Sequence, residues 1–269
     1  MIRAAVLGSP ISHSLSPKIH SKAYEILGLH ASYEAIEVTE ETFLNFFQSL
    51  GSDRGQSSWS GFSLTMPLKE IVLKEFRNGD LIAERINSAN TLYKSEGSWK
   101  VTSTDYLAFE NLFLGCNLST DSKVAIIGGG GTARAAIGVL NSKVETVDVL
   151  LRSAERMQGL IKAAPDLLIN LLTMSSPLDD YDLIIQTTPS GVFDEYADAT
   201  MRASGILLEA LYKPWPTRLV SRYEQLGGKV ISGKELLVEQ ALYQIELFTG
   251  TKFDFKQMRS ELLSVVSLD

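Results

Sequence analysis

The chain has 269 residues, 45% hydrophobic and 21% charged, with a net charge of −7. That balance builds a core unaided and argues against a surface made for nucleic acid or anionic lipid, though not against a small anionic substrate. One cysteine, Cys116, permits no intrachain disulfide and no cysteine-based metal cluster.

The opening run, MIRAAVLGSP, is too short for a secretory signal, and no stretch approaches the ~20 apolar residues of a membrane span. A reducing, cytoplasmic setting is the expectation. Residues 4–8 (AAVLG) read as a buried strand. Ser16-Pro17 opens a helix through Leu27, stopped by Gly28. Residues 32–38 form the next strand, and Thr39 caps a helix carrying Phe43, Phe46, Phe47 and Leu50. GFSLTM (61–66) alternates apolar and hydroxyl residues until Pro67 ends the ladder, and a helix follows over 68–76. Residues 89–94 and 98–104 make a hairpin around Glu96-Gly97. Asp105 caps a helix to about Leu114. A second series begins with the strand KVAIIG (123–128), then a helix from Thr132, the strand 146–151 and a helix from Ser153. Residues 182–188 and 206–212 are strands. Thr217 caps a helix stopping at Gly227-Gly228, and 229–232 is a last strand. A helix from Gly233 ends at Gly250, and a final one covers about 254–266. This alternation predicts an α/β fold of two domains, with parallel sheets covered by helices.

The loop after Ile127 carries Gly128, Gly129, Gly130, Gly131, Thr132 and Ala133. Gly128, Gly130 and Ala133 satisfy G-x-G-x-x-[G/A] between a strand and a helix. Side chains there would hold a pyrophosphate away from the loop amides and the helix N-terminus. An NAD site wants an acidic residue about 20 positions after the first glycine. Leu151 stands there instead, followed by Arg152, Ser153 and Arg156. Two guanidiniums and a hydroxyl suit a 2′-phosphate, so the pattern points to NADP. Without the loop upstream, Arg152 and Arg156 would read as a solvated pair on a surface helix. Asp148 lies too early in its strand to reach a ribose.

Several ordered motifs then carry a resemblance. GSPISHSLSPKIH (8–20), SLTMPLK (63–69), SANT (88–91), TSTD (102–105), DLIIQTTPSG (182–191), the Y-x-P-x-x-T turn from Tyr212 and a G-x-x-x-L-x-x-Q helix from Gly233 follow one another. From Gly8 to about Gly250 the chain resembles the shikimate dehydrogenase family. The resemblance implies a two-domain enzyme that reversibly oxidises shikimate to 3-dehydroshikimate with NADP. Residues 1–104 with 235–269 would form the substrate-binding domain, and 105–234 the Rossmann-like dinucleotide-binding domain. It also implies that Lys69 is catalytic, paired with Asp105. Ser14 and Ser16 would bind the substrate carboxylate. Thr65, Asn90 and Gln240 would hold ring hydroxyls, with Tyr212 lining the same cleft, and Thr187 would join the glycine loop, Arg152, Ser153 and Arg156 at the cofactor. Small molecules, not nucleic acid or membranes, are the expected partners of a monomer or homodimer. The chain departs from the pattern at Ser63, an asparagine in the motif, at Thr102, Ser103, Ala108 and Leu151, and at Glu209, where an aspartate is usual.

The chemistry asks for a base within hydrogen-bond reach of a secondary alcohol. A lysine with its usual pKa of ~10.4 is mostly protonated at neutral pH. Lys69 and Asp105 therefore act either as a coupled proton-exchanging pair or with a fixed ammonium beside the developing alkoxide. His13 is the second candidate base, whereas His20, one turn inside its helix, is expected to pack. The histidines show no metal-ligand spacing, and no metal site is expected. Two other functions fit the residues: a dehydrogenase that also accepts quinate, and a cofactor-binding regulatory paralogue without chemistry.

Overall fold

The computed structural model describes residues 1–52, 59–76 and 79–267. The chain divides into two compact units, one made of 1–104 and 237–269, the other of 105–236.

The first unit begins with β1 (Ile2–Gly8), α1 (Ser16–Ile26), β2 (Ala31–Glu37), α2 (Glu40–Ser52), β3 (Trp59–Leu64), α3 (Leu68–Glu75), α4 (Leu81–Ile86), β4 (Thr91–Ser95) and β5 (Ser98–Thr102). Its sheet runs β2-β1-β3-β4-β5 among the described residues. β2, β1 and β3 are parallel, while β4 and β5 pair antiparallel. The sheet is therefore mixed rather than wholly parallel. Two reversals make it so: the connection through α3 and α4 returns β4 against β3, and the tight turn at Glu96-Gly97, both at positive φ (52° and 77°), folds β5 back on β4.

α1 opens at Ser16-Pro17 as expected, with Leu15 at the N-cap position and no side-chain hydrogen bond there. One correction concerns a helix start. The next helix, α5 (Thr104–Leu114), places Asp105 in its first turn rather than at its cap. In α2, Phe43, Phe46 and Phe47 join the core around Phe62 as expected, but the Leu50 side chain lies outside the described residues.

The second unit continues with β6 (Val124–Ile127), α6 (Gly131–Leu140), β7 (Thr146–Leu150), α7 (Met157–Ala163), β8 (Leu168–Leu172), β9 (Leu183–Gln186), β10 (Ile206–Glu209), α8 (Arg218–Gln225) and β11 (Lys229–Ile231). All of its strands are parallel, in the order β11-β10-β9-β6-β7-β8. The chain moves from β6 outward to β7 and β8, then returns to the other side of β6. That reversal opens a crevice at the carboxyl ends of β6 and β9.

Two helices, α9 (Gly233–Thr249) and α10 (Phe255–Val266), bring the chain back to the first unit. Val238, Ala241, Leu242, Ile245 and Phe248 of α9 pack with Ile19, Ala23 and Tyr24 of α1 in one core. Glu239, fully buried, holds Arg259 of α10 through two hydrogen bonds of 2.5 and 2.9 Å. Phe248 lies against Gly61 so closely that a Cβ there would sit 2.1 Å from the ring.

Candidate functional site

In the first unit, polar residues gather where β1 and β3 end. Thr65 N donates to Leu7 O at 2.9 Å, and Ser9 N to Met66 O at 3.0 Å. Gly8 makes this approach feasible, since a Cβ on it would meet the Thr65 methyl carbon at 2.3 Å. α3 starts at Leu68, so half-buried Lys69 sits in its first turn, at the positive end of the helix dipole. The backbone carbonyl of Lys69 accepts from Ala89 N at 2.8 Å, and Leu64 N donates to Asn90 O at 2.7 Å. These bonds lash the end of β3 to the segment entering β4.

Asn90 is 3% exposed, and its orientation is set by its partners. Its Oδ1 accepts from Thr104 N at 2.7 Å and from the hydroxyls of Thr104 and Thr91. Its Nδ2 donates to Gln240 Oε1 at 3.1 Å, and Gln240 Nε2 donates to Leu237 O at 2.6 Å. The structure thus brings Asn90 and Gln240 together, 150 residues apart in sequence. The serines of the opening motif lie at the start of α1. The Ser14 hydroxyl accepts from Ser16 N at 3.3 Å, and Ser16 is buried, within reach of the Tyr33 hydroxyl.

His20 is fully buried and stacks on Tyr33 at 3.9 Å between ring centroids. Burial holds its imidazole down at about 3, with Gln244 opposing weakly, so it stays neutral and packs as expected. His13 is exposed. Among the described residues no group of three or more metal-ligating side chains forms. No helix among them is long and apolar enough to cross a membrane.

In the second unit the glycine loop lies in the crevice between β6 and β9. Gly128 has φ 107°, open to glycine only, and a Cβ there would meet Thr187 Oγ1 at 2.6 Å. Thr187 closes the end of β9 with bonds from its amide and hydroxyl to Ile127 O, at 3.0 and 2.8 Å. A Cβ on Gly129 would meet Arg156 Cβ at 2.7 Å and Leu151 at 3.1 Å. Gly130, the N-cap of α6, has no atom within 4 Å of its Cβ position. Gly131, Thr132 and buried Ala133 form the first turn of α6. Open space over a helix N-terminus beside glycine amides fits a pyrophosphate. Arg152, Ser153 and Arg156 are exposed at the end of β7. Asp148 is committed elsewhere, accepting from Tyr181 and Asn170 at 2.6 and 2.9 Å.

Asp105, in the first turn of α5, is 6% exposed. Tyr212 is half-buried in the turn after β10. Glu209, at the end of β10, is fully buried and accepts from Leu211 N at 3.0 Å and Thr217 Oγ1 at 2.9 Å. Burial pushes its carboxyl up to about 7 against those two bonds.

The model of the shikimate dehydrogenase substrate binding domain matches residues 6–92, and that of the shikimate 5′-dehydrogenase C-terminal domain matches 233–263. An NADP(+) shikimate dehydrogenase of Methanosarcina acetivorans is 33% identical over 276 residues, covering 97% of each chain. One from Exiguobacterium is 30% identical over 257 residues, 93% of this chain and 94% of its own. This chain belongs to the shikimate dehydrogenase family. The crystal structure of Mycobacterium tuberculosis shikimate dehydrogenase superposes with a TM-score of 0.85 over the whole of both chains, at 31% identity. The Thermus thermophilus shikimate 5-dehydrogenase, solved with NADP(H) and shikimate, superposes at 0.82 with 27% identity, over 98% of this chain and 100% of its own.

Seen as a shikimate dehydrogenase, the chain holds supporting residues that its motifs do not announce. Arg134 is 4% exposed within α6 and donates to Gly129 O at 3.4 Å, bracing the loop from behind. A lone arginine inside the apolar run GTARAAIGVL is the trace it leaves in the sequence. Tyr33 and Gln244 are the others; nothing in the spacing of either marks it, since both look like packed residues of a strand and a helix.

Proposed function

We propose that the chain catalyses the NADP-dependent, reversible oxidation of shikimate to 3-dehydroshikimate. Similarity to NADP(+) shikimate dehydrogenases over more than nine-tenths of both chains carries this reading. The first unit is the proposed substrate domain and the second the proposed dinucleotide domain. Ser14 and Ser16 would hold the substrate carboxylate with hydroxyl donors. Thr65, Asn90 and Gln240 would hold the ring hydroxyls, and Tyr212 is a further proposed substrate-binding residue.

For the cofactor, the amides of Gly128–Thr132 at the start of α6 would hold the pyrophosphate, with Ala133 and Thr187 shaping the floor. Arg152, Ser153 and Arg156 would hold the 2′-phosphate. The oxidised nicotinamide supplies the hydride acceptor. Oxidation of one secondary alcohol sends a hydride to that acceptor and a proton to the protein or water. Lys69 and Asp105 are the proposed handlers of the proton, the ammonium of Lys69 also stabilising negative charge on the reacting oxygen. The protein would work in the cytoplasm as a monomer or homodimer.

The purified protein should reduce NADP+ when given shikimate, followed by the absorbance of the reduced nicotinamide. Equal kcat/KM for quinate would replace this reading with a broader dehydrogenase. No turnover by folded protein with either acid would favour the non-catalytic paralogue.

A further inference from the structure

Position 63 departs from the family motif, with a serine for the asparagine, and the structure shows what surrounds that shorter side chain. Ser63 is 5% exposed, accepts from the Tyr33 hydroxyl at 2.6 Å and donates to Gln244 Oε1 at 2.6 Å. Its proton is thus committed inside the protein. Gln244 comes from α9, one helical turn beyond Gln240, on the face turned toward the 90–91 segment. Its Nε2 donates to Asn90 O at 3.2 Å and to Thr91 Oγ1 at 3.0 Å. The Asn90 carbonyl can only accept, which fixes which end of the Gln244 amide faces it.

We infer that Gln244 is a positioning residue for Asn90, standing in for the carboxamide that the family motif carries at position 63. The inference rests on the substrate-binding role proposed for Asn90 and Gln240. Gln244 is fully buried, with both amide protons and its oxygen engaged. A buried carboxamide costs free energy unless every group is paired, and an apolar residue of that size would serve packing as well. What the amide adds is direction. Protons run from Tyr33 to Ser63 to Gln244, and from Gln244 through Thr91 to Asn90 Oδ1, leaving Asn90 Nδ2 to face Gln240. A chain of bonds polarised one way holds its last member in one orientation.

The test uses Gln244→Leu, Gln244→Ala and the exchange Ser63→Asn/Gln244→Ala in the full chain. Gln244→Leu keeps the volume and removes the bonds. We expect KM for shikimate to rise about tenfold and KM for NADP+ to move less than about twofold. The exchange variant should recover most of the loss seen in Gln244→Ala. An unchanged shikimate KM in Gln244→Leu, equal losses for both substrates, or an exchange variant no better than Gln244→Ala would each overturn the inference. A second readout needs no turnover. The side-chain amide of Asn90, assigned by NMR through its loss in Asn90→Asp, should exchange with solvent at least about tenfold faster in Gln244→Leu. If the wild type fails to oxidise shikimate, the proposed function falls, while this exchange rate still judges Gln244; an unchanged rate overturns the positioning role.

Discussion

The hydroxyl of Thr217 donates to Glu209 at 2.9 Å while its oxygen accepts from Val220 N at 3.2 Å, so one threonine both caps α8 and binds a buried carboxyl. Burial is the larger influence on that carboxyl and raises it from 4.5 to about 7. In the unfolded chain Glu209 loses its proton near 4.5; in the fold it keeps it to about 7. The native state therefore binds more protons between these values, and stability falls as pH rises through that window. The contribution, on the order of 1–3 kcal/mol, is fully present below about 4.5 and lost above about 7. Glu209→Gln should flatten the stability–pH curve between about 5 and 7, measured by urea denaturation. A variant curve parallel to that of the wild type would contradict the assignment.

Replacing Lys69 by alanine should lower kcat by about 10²–10⁴-fold with little change in KM, because its proposed work lies in the transition state. Steady-state kinetics with each substrate varied in turn measure both parameters. A near-normal kcat would remove Lys69 from the mechanism.

Arg152 is exposed and free of the core, so Arg152→Ala should leave folding intact. Affinity for NADP+ should fall roughly tenfold or more while that for NAD+ hardly moves, since a charge-assisted bond to the 2′-phosphate is what the change removes. Similar losses for both dinucleotides, read by titration calorimetry, would mean that the guanidinium does not meet that phosphate.

Gly130 and Gly128 should part company when changed to alanine. The Gly130 Cβ position is open, so Gly130→Ala should melt near the wild type yet bind NADP+ poorly, its methyl standing where the pyrophosphate would come. Gly128→Ala should lose stability by about 1–3 kcal/mol, from its positive φ and the contact with Thr187. Normal NADP+ affinity in Gly130→Ala would displace the proposed pyrophosphate site.

The alternation of strands and helices and the glycine loop were legible because each rests on local pattern: a period, a cap, a glycine where backbone must come close. The turn at Glu96-Gly97 and the Thr217 cap are of the same kind. Two elements left no such mark. α4 spans only six residues, less than two turns, and is announced by little beyond its Asp80 cap, which accepts from Ala83 N. β8, LINLL, lies at a sheet edge with Leu168 and Leu171 exposed, so its apolar run shows neither the alternation nor the boundaries of a strand. In the candidate site, the motif residues were readable one by one, but the bonds among Tyr33, Ser63, Gln244 and Asn90 join four separate stretches of chain. The sequence shows Ser63 only as a departure from the motif; the amide that its hydroxyl bonds lies 181 residues away.

That distance has a consequence for how the molecule comes into being. Residues 105–236 form a unit continuous in sequence, whereas the unit of 1–104 is completed by α9 and α10 from beyond it. Without those two helices the core beside α1 has one flank uncovered. A released chain ending at Leu236 should therefore yield a protease-resistant 105–236 and a digestible 1–104.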